Sequence, residues 1–278
     1  MDRRTTPFSG RVAHVSLRGR VEAQSFTEGE PAQVARPLAD VLTRPGGARD
    51  RQLLLGDAVT VIDRDGAHAY VMAAKDGYCG WLEAATLDTG GPGPTHWVAV
   101  RASHLYSDAV VQAPELACLT LGVQLAVLET GLGKQGRFAR TPHGFVPACH
   151  LRALADRPAD HAGVAEMFLG TPYLWGGNSS AGIDCSGLAQ AALLACGRAC
   201  PGDADQQERQ VGRALDPDEP LQRGDLIFWK GHVAIAVSPD RLIHANGATM
   251  SVAHEDTAAC IARIAAQGEG GVTSRRRP

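Results

Sequence analysis

Asn178-Ser179-Ser180-Ala181-Gly182-Ile183-Asp184-Cys185-Ser186-Gly187 is the stretch on which the reading of this chain turns. A polar, flexible run leads into Ser186 to Cys196, which is apolar, rich in Ala and Leu, and helix-favouring. Cys185 therefore stands at or near the first turn of a helix. There the unpaired backbone N–H groups and the positive end of the helix dipole favour the thiolate, the nucleophilic form, over the thiol. A neighbouring N–H of the same turn can donate to a developing oxyanion. Alone, a Cys in an Ala-rich helix is a small buried hydrophobe. Its company in the sequence changes that reading.

A nucleophilic Cys needs a general base, and the base needs a group to orient it. After Gly224 the chain turns to β-structure: Asp225 to Trp229, His232 to Val237, and Arg241 to Ala245. His232 and His244 fall on consecutive strands. With Ser238-Pro239-Asp240 as a three-residue loop, Val237 faces Arg241 and every cross-strand pair sums to an even number. The two histidines then project from one face as diagonal neighbours, whereas a two-residue loop would put them on opposite faces. Asn246 shares the parity of His244 and is a second candidate for the orienting role.

Upstream, Gly and Pro crowd at Thr89-Gly90-Gly91-Pro92-Gly93-Pro94, and a weaker break falls at Asp156 to Asp160. Between Ala32 and Asp88 short strands are expected at Val34 to Arg36, Gln52 to Leu55, Ala58 to Asp63, Ala69 to Ala74 and Tyr78 to Leu82, a spacing that suits a small barrel. The second segment repeats the plan with Trp97 to Ala102, Thr120 to Leu128, Phe138 to Thr141 and Gly144 to Pro147. Asp76-Gly77-Tyr78-Cys79-Gly80-Trp81-Leu82 and Thr141-Pro142-His143-Gly144-Phe145-Val146-Pro147 each place a polar turn before an aromatic strand and a short tail. Tyr78 and Trp81 have an ordinary reading as barrel core. From Ala159 the pattern changes, with helical periodicity over His161 to Leu169. Helices before an antiparallel sheet make an α+β arrangement. The tail Gly268 to Pro278, with three consecutive Arg residues, reads as a solvated, mobile end.

Pro172-Tyr173-Leu174-Trp175-Gly176-Gly177, Asp184-Cys185-Ser186-Gly187-Leu188, Arg223-Gly224-Asp225-Leu226-Ile227-Phe228-Trp229, Gly231-His232-Val233-Ala234-Ile235 and Leu242-Ile243-His244-Ala245 together resemble the NlpC/p60 family of cell-wall cysteine peptidases. The resemblance covers nearly all of 159–250. It implies a papain-like α+β catalytic domain that cleaves peptidoglycan peptides, commonly between γ-D-glutamate and a diamino acid. By position, Cys185 is then the nucleophile, His232 the base and His244 the orienting residue, with Tyr173 beside the active site. The two upstream modules resemble bacterial SH3-like domains, whose last hairpin carries a Gly-Tyr-x-Gly-Trp pattern. The implied boundaries are 1–91 for an N-terminal extension and first SH3-like barrel, 95–155 for the second, and 158–278 for the peptidase domain. The whole arrangement is similar to γ-D-glutamyl-L-diamino acid endopeptidases that recycle muropeptides. In that subgroup a first-module tyrosine and the Asp before the Cys hold the free amine of an N-terminal L-Ala. Tyr78 and Asp184 stand in those places, and Ser186 joins them as a substrate-binding position.

Composition limits the alternatives. At 44% hydrophobic and 21% charged residues the chain of 278 is that of a globular protein. A net charge of -3 offers no general attraction to nucleic acid or anionic membrane. No apolar run of signal-peptide or membrane-span length occurs, so a cytoplasmic location without membrane insertion is the default. Seven cysteines, scattered and odd in number, suit a reducing compartment. Cys196-x3-Cys200 is a poor zinc spacing, and neither metal nor cofactor is expected. Two other functions compete: a wall-peptide binding protein with an inactive catalytic domain, and an amidase or acyltransferase using the same Cys and His pair. Peptidoglycan stem peptides or muropeptides are the implied partners in each case.

Overall fold

The computed structural model describes residues 1–216 and 218–278, which divide into compact units Met1–Asp156 and Arg157–Pro278. In the first unit the strands Glu30–Val34, Leu38–Leu42, Arg49–Leu54, Ala58–Asp65, His68–Ala73, Cys79–Glu83 and Leu87–Asp88 form one seven-stranded sheet. Its interior is the alternating apolar set of those strands, including Val34, Val41, Val59, Val71 and Leu82. The Asp76-Gly77 turn closes the hairpin of 68–73 and 79–83. The Asp76 carboxylate accepts the Tyr78 N–H at 3.0 Å, and Gly77 takes a φ of 72°, which favours glycine. Leu38–Leu42 is a strand that the sequence pattern did not disclose; Arg36-Pro37 before it resembles a turn.

The second barrel holds strands Ala102–Tyr106, Glu115–Thr120, Glu129–Leu132, Phe138–Thr141 and Gly144–Pro147 in one sheet, and His96–Val98, Gln124–Leu125 and Leu151–Ala153 in another. The expected run 120–128 is broken where Gly122, at a φ of 92°, turns the chain between Thr120 and Gln124. The repeat extends to the tails: each final hairpin runs into a single 3-10 turn, Ala84–Thr86 and Ala148–His150, and then a short strand. The barrels are not separate beads. Leu54 and Leu55 of the first pack with Val98, Leu105, Leu119 and Val146 of the second. At their junction Gly56 has no room for a side chain, since a Cβ there would lie 2.2 Å from the Gln124 carbonyl oxygen.

The second unit carries α1 (His161–Glu166), α2 (Cys185–Ala195), α3 (Ala204–Gln210), α4 (Thr257–Ala266), a short ribbon of Asn178–Ser179 with Gly182–Ile183, and a main sheet of β1 (Arg213–Ala214), β2 (Leu226–Trp229), β3 (His232–Ser238), β4 (Arg241–Asn246), β5 (Ser251–Asp256) and β6 (Ser274–Arg277). The sheet is antiparallel with order β1-β6-β2-β3-β4-β5. Helix α1 is shorter than its periodicity: from Met167 the bonds tighten to i→i−3, and Gly170 ends the segment at a φ of 78°. Strands β3 and β4 are buried on both faces. Ala234, Ala236 and Leu242 on one face meet Cys260 and Ile264 of α4. Val233, Ile235 and Ile243 on the other are at most 1% exposed, and α1 and α2 pack on the same two strands. No helix among the described residues is long and apolar enough to cross a membrane.

The expected mobile tail is instead strand β6, inserted between β1 and β2. Without it β2, buried along its whole length, would present a row of unpaired backbone groups. The arginines that suggested a solvated end hold it in place. Arg277 donates to both oxygens of the buried Asp225, at 2.8 and 2.7 Å, and at 2.6 Å to Glu219. Removing the guanidinium leaves the Asp225 carboxylate without its partner in a dry setting. Arg277→Ala is expected to lower the Tm of the catalytic unit by several degrees, and Arg277→Lys to recover part of that, as read by thermal unfolding.

Candidate active site

Cys185 is the first residue of α2 and is buried. Asp184 caps that helix: its backbone is extended (φ -97°, ψ 178°) and its carboxylate accepts the Gly187 N–H at 2.6 Å. The same carboxylate accepts the Ser186 hydroxyl at 3.1 Å and, through its other oxygen, the Gly176 N–H at 2.8 Å. The Gly-rich stretch therefore docks on the helix start. Gly187 allows the approach, because a Cβ there would lie 2.4 Å from the Gly177 carbonyl oxygen. Gln207 of α3, fully buried, completes the frame by donating to the carbonyls of Ser186 at 2.9 Å and Pro201 at 3.0 Å. Nothing in the local pattern marks Gln207; a buried amide on a polar helix is visible only once the chain is folded.

The thiol of Cys185 faces the carbonyl oxygen of Gly231, with sulfur and oxygen 4.0 Å apart, so it lies against the residue that precedes His232. Gly231, at a φ of 78°, forms the tight turn of the β2/β3 hairpin, where Trp229 pairs with His232. Tyr173 is half-buried and its N–H bonds the Met250 carbonyl at 2.8 Å. Burial, with Cys185 and Asp184 nearby, pushes its hydroxyl well above the usual phenol range. A phenol in that state is a neutral hydrogen-bond donor.

The β3/β4 hairpin departs from the expected loop. Ser238 pairs with Arg241, so the turn is the two residues Pro239-Asp240. A bulge at Val237 then shifts the register, and Ile235 pairs with Ile243 and Ala236 with Leu242. The even sum is restored, and His232 and His244 share a face. Their rings meet, His232 Nε2 to His244 Nδ1 at 2.9 Å. Asn246, the other orienting candidate, instead accepts the Thr249 N–H at 2.9 Å and shapes the following turn.

The sequence reading missed what lies behind His244. Its Nε2 is 3.1 Å from a Glu255 oxygen on β5, and Arg263 of α4 holds Glu255 with two bonds of 2.8 and 2.7 Å. Glu255 and Arg263 are eight positions apart across a strand-to-helix corner, a spacing without a local signature. The Arg263 bond takes the Glu255 carboxyl down to about 2, so it is ionised. Burial, then the neighbouring imidazole, holds His232 well below the ordinary histidine value; burial does the same to His244, against the pull of Glu255. Both rings are neutral at pH 7.

His244, Glu255 and Cys260 offer donor atoms within 4.8 Å of one another. The Arg263 guanidinium already supplies positive charge there, 3.7 Å from the Cys260 sulfur, and burial pushes that thiol up to about 12. The set fits an ion pair better than a metal. Tyr78, expected to reach substrate, packs inside the first barrel with Val34, Val41 and Leu82, and is 4% exposed. Its large apolar ring fills barrel core, which gives it a structural place in the unit it belongs to.

In the folded state both histidines titrate below the roughly 6.5 of an unfolded chain, so through that window the unfolded state binds more protons. Stability of the catalytic unit is therefore expected to fall as pH drops below about 6.5, with a further loss below about 4.3 as Glu255 is protonated on unfolding. Thermal unfolding between pH 7.5 and 5 measures the slope, and His244→Gln should flatten it.

Residues 170–266 match the family model described as NlpC/P60 family, and residues 41–87 that described as bacterial dipeptidyl-peptidase Sh3 domain. The chain is 31% identical over 216 residues to a γ-D-glutamyl-L-lysine dipeptidyl-peptidase of Bacillus subtilis, covering 69% of this chain and 71% of that relative. A Bacillus cereus protein of the same name is 30% identical over 239 residues, 73% of this chain and 69% of its own. A solved NlpC/P60 family protein from Bacillus cereus superposes with a TM-score of 0.72 at 24% identity, over 89% of this chain and 99% of that one. With relatives at this identity over more than two thirds of their length, a matching catalytic model and a matching Sh3 model, the chain belongs to the NlpC/P60 family of cysteine-type peptidases.

Proposed function

We infer that the chain hydrolyses the γ-D-glutamyl-diamino acid bond of peptidoglycan-derived peptides that begin with a free L-Ala, with Cys185 as nucleophile and His232 as base. The observation that carries this reading is the thiol at the start of α2 lying against the turn that delivers His232, whose ring is bonded to His244. The names of the two Bacillus relatives support the choice of bond. In the reaction the Cys185 proton passes to His232 and the thiolate adds to the γ-glutamyl carbonyl. Backbone N–H groups of the first helical turn and the neutral Tyr173 hydroxyl are the donors available to the oxyanion. Imidazolium at His232 then protonates the leaving amine, and a water activated by the same ring releases the acyl group.

Asp184 supports the preference for a free ammonium. The bonds described above come from neutral donors, and a carboxylate beside the nucleophile attracts a cation. That role comes second to helix capping, and in the same reading the substrates are released muropeptides rather than intact wall.

Cys185→Ala is expected to abolish turnover of L-Ala-γ-D-Glu-L-Lys with folding retained. At pH 6 iodoacetamide should modify Cys185 ahead of the exposed Cys118 and Cys149. N-acetylation of the substrate should cost roughly a hundredfold in kcat/KM, the typical loss for an unmatched buried charge. Mass spectrometry identifies the bond cut. Absence of cleavage points to the binding-protein alternative, and transfer to an added amine points to an acyltransferase.

A further inference from the structure

His232, His244, Glu255 and Arg263 form one continuous file of polar contacts across β3, β4, β5 and α4. Each neutral imidazole has one N–H and one bare nitrogen, and distances alone leave their order open. The far end of the file removes that freedom. Glu255, ionised, is acceptor-only, so the His244 nitrogen facing it, Nε2, must carry a proton. His244 Nδ1 is then bare and can only accept. The His232 nitrogen 2.9 Å away, Nε2, must therefore be the N–H, and His232 Nδ1 is left bare. A bare nitrogen is what a base needs to take a thiol proton.

We propose that Glu255, clamped by Arg263, is a positioning residue that sets the tautomers of both histidines and so makes Nδ1 of His232 the nitrogen that receives the Cys185 proton. The proposal rests on the catalytic reading above. In the step the S–H bond breaks and an Nδ1–H bond forms, while the Nε2–H stays on His244. The imidazolium so made is countered through His244 by the Glu255 carboxylate. Other titratable groups lie beside this file. Cys260 of α4 lies beside Arg263, and Glu269 lines the same recess as His232, Asn246, Arg263 and Gln267. Neither touches a ring nitrogen of the pair among the hydrogen bonds of the described residues.

Glu255→Leu tests the idea because it removes the acceptor that faces His244 Nε2, and with it the requirement for a proton there. His244 can then present either nitrogen to His232, and His232 Nδ1 carries a proton in part of the population. Expected is a loss of kcat by about tenfold, with KM nearly unchanged, a part of the roughly hundredfold or more lost when general-base catalysis is removed outright. The rate of Cys185 alkylation at pH 6 should fall in parallel, and its pH profile should move toward that of an ordinary thiol. Glu255→Asp, which keeps a carboxylate, should retain much of both. Side-chain 15N spectra of histidine in the Cys185→Ala protein give a second, direct measure: His232 should be protonated at Nε2 only, and at a mixture of Nε2 and Nδ1 once Glu255→Leu is added. A purely structural residue would shift Tm and leave tautomer and pH profile as they were. Fast alkylation of Cys185 in the wild type together with an unchanged profile and tautomer in Glu255→Leu would overturn this proposal alone. No fast alkylation of Cys185 in the wild type would overturn the catalytic reading and the proposal with it.

Discussion

The carboxylate of Asp184 accepts from Gly187, Ser186 and Gly176 at once, and the position of the nucleophile follows from those three bonds. The first ties off the start of α2, so that Cys185 occupies the first turn, whose backbone N–H groups have no partner within the helix. The third fastens the Gly-rich stretch across the helix start, which carries Tyr173 to the thiol. Charge-assisted bonds of this kind are short and about twice as strong as neutral ones, and here they join segments eight residues apart into one rigid corner. Gln207 braces the same corner from α3.

Opposite this corner stands a file of polar groups in a part of the sheet that is otherwise apolar. His244 is 1% exposed, on the strands that carry the buried Ala234, Ala236 and Leu242. A polar group in such a place is costly unless each of its atoms is matched, and here each is: ring to ring, ring to carboxylate, carboxylate to guanidinium. Satisfying the whole file requires three strands and α4 in fixed register. The bulge at Val237 supplies that register, since one residue fewer in β3 would turn His232 to the other face. Stability and chemistry are thus coupled through the same contacts.

The first unit depends on a different economy. Two copies of one plan, each ending in a polar turn, an aromatic strand and a 3-10 tail, share apolar core through Leu54 and Leu55. Aromatic residues that mark the repeat in the sequence, Tyr78 and Trp81, are spent on packing there; Tyr70 and Trp81 meet edge to face at 5.3 Å. A motif of strongly patterned aromatics identifies a barrel well because its job in the barrel is local and steric.

From the sequence alone, the helix start at Cys185, the strands that carry His232 and His244, both barrel repeats and the family were determined. These rest on nearest-neighbour chemistry: capping, turn residues and the two-residue period of a strand act within a few positions of the chain. Tertiary structure decided what depends on residues meeting from far apart. It made Ser274–Arg277 of the tail a strand, because β2 needed a hydrogen-bonding neighbour and Asp225 a cation. It moved the hairpin turn and compensated with a bulge, because buried faces on both sides of β3 and β4 tolerate a single register. It also brought Glu255 and Arg263 behind His244, a position no local pattern encodes, because a buried imidazole has to be matched by whatever acceptor the fold can place beside it.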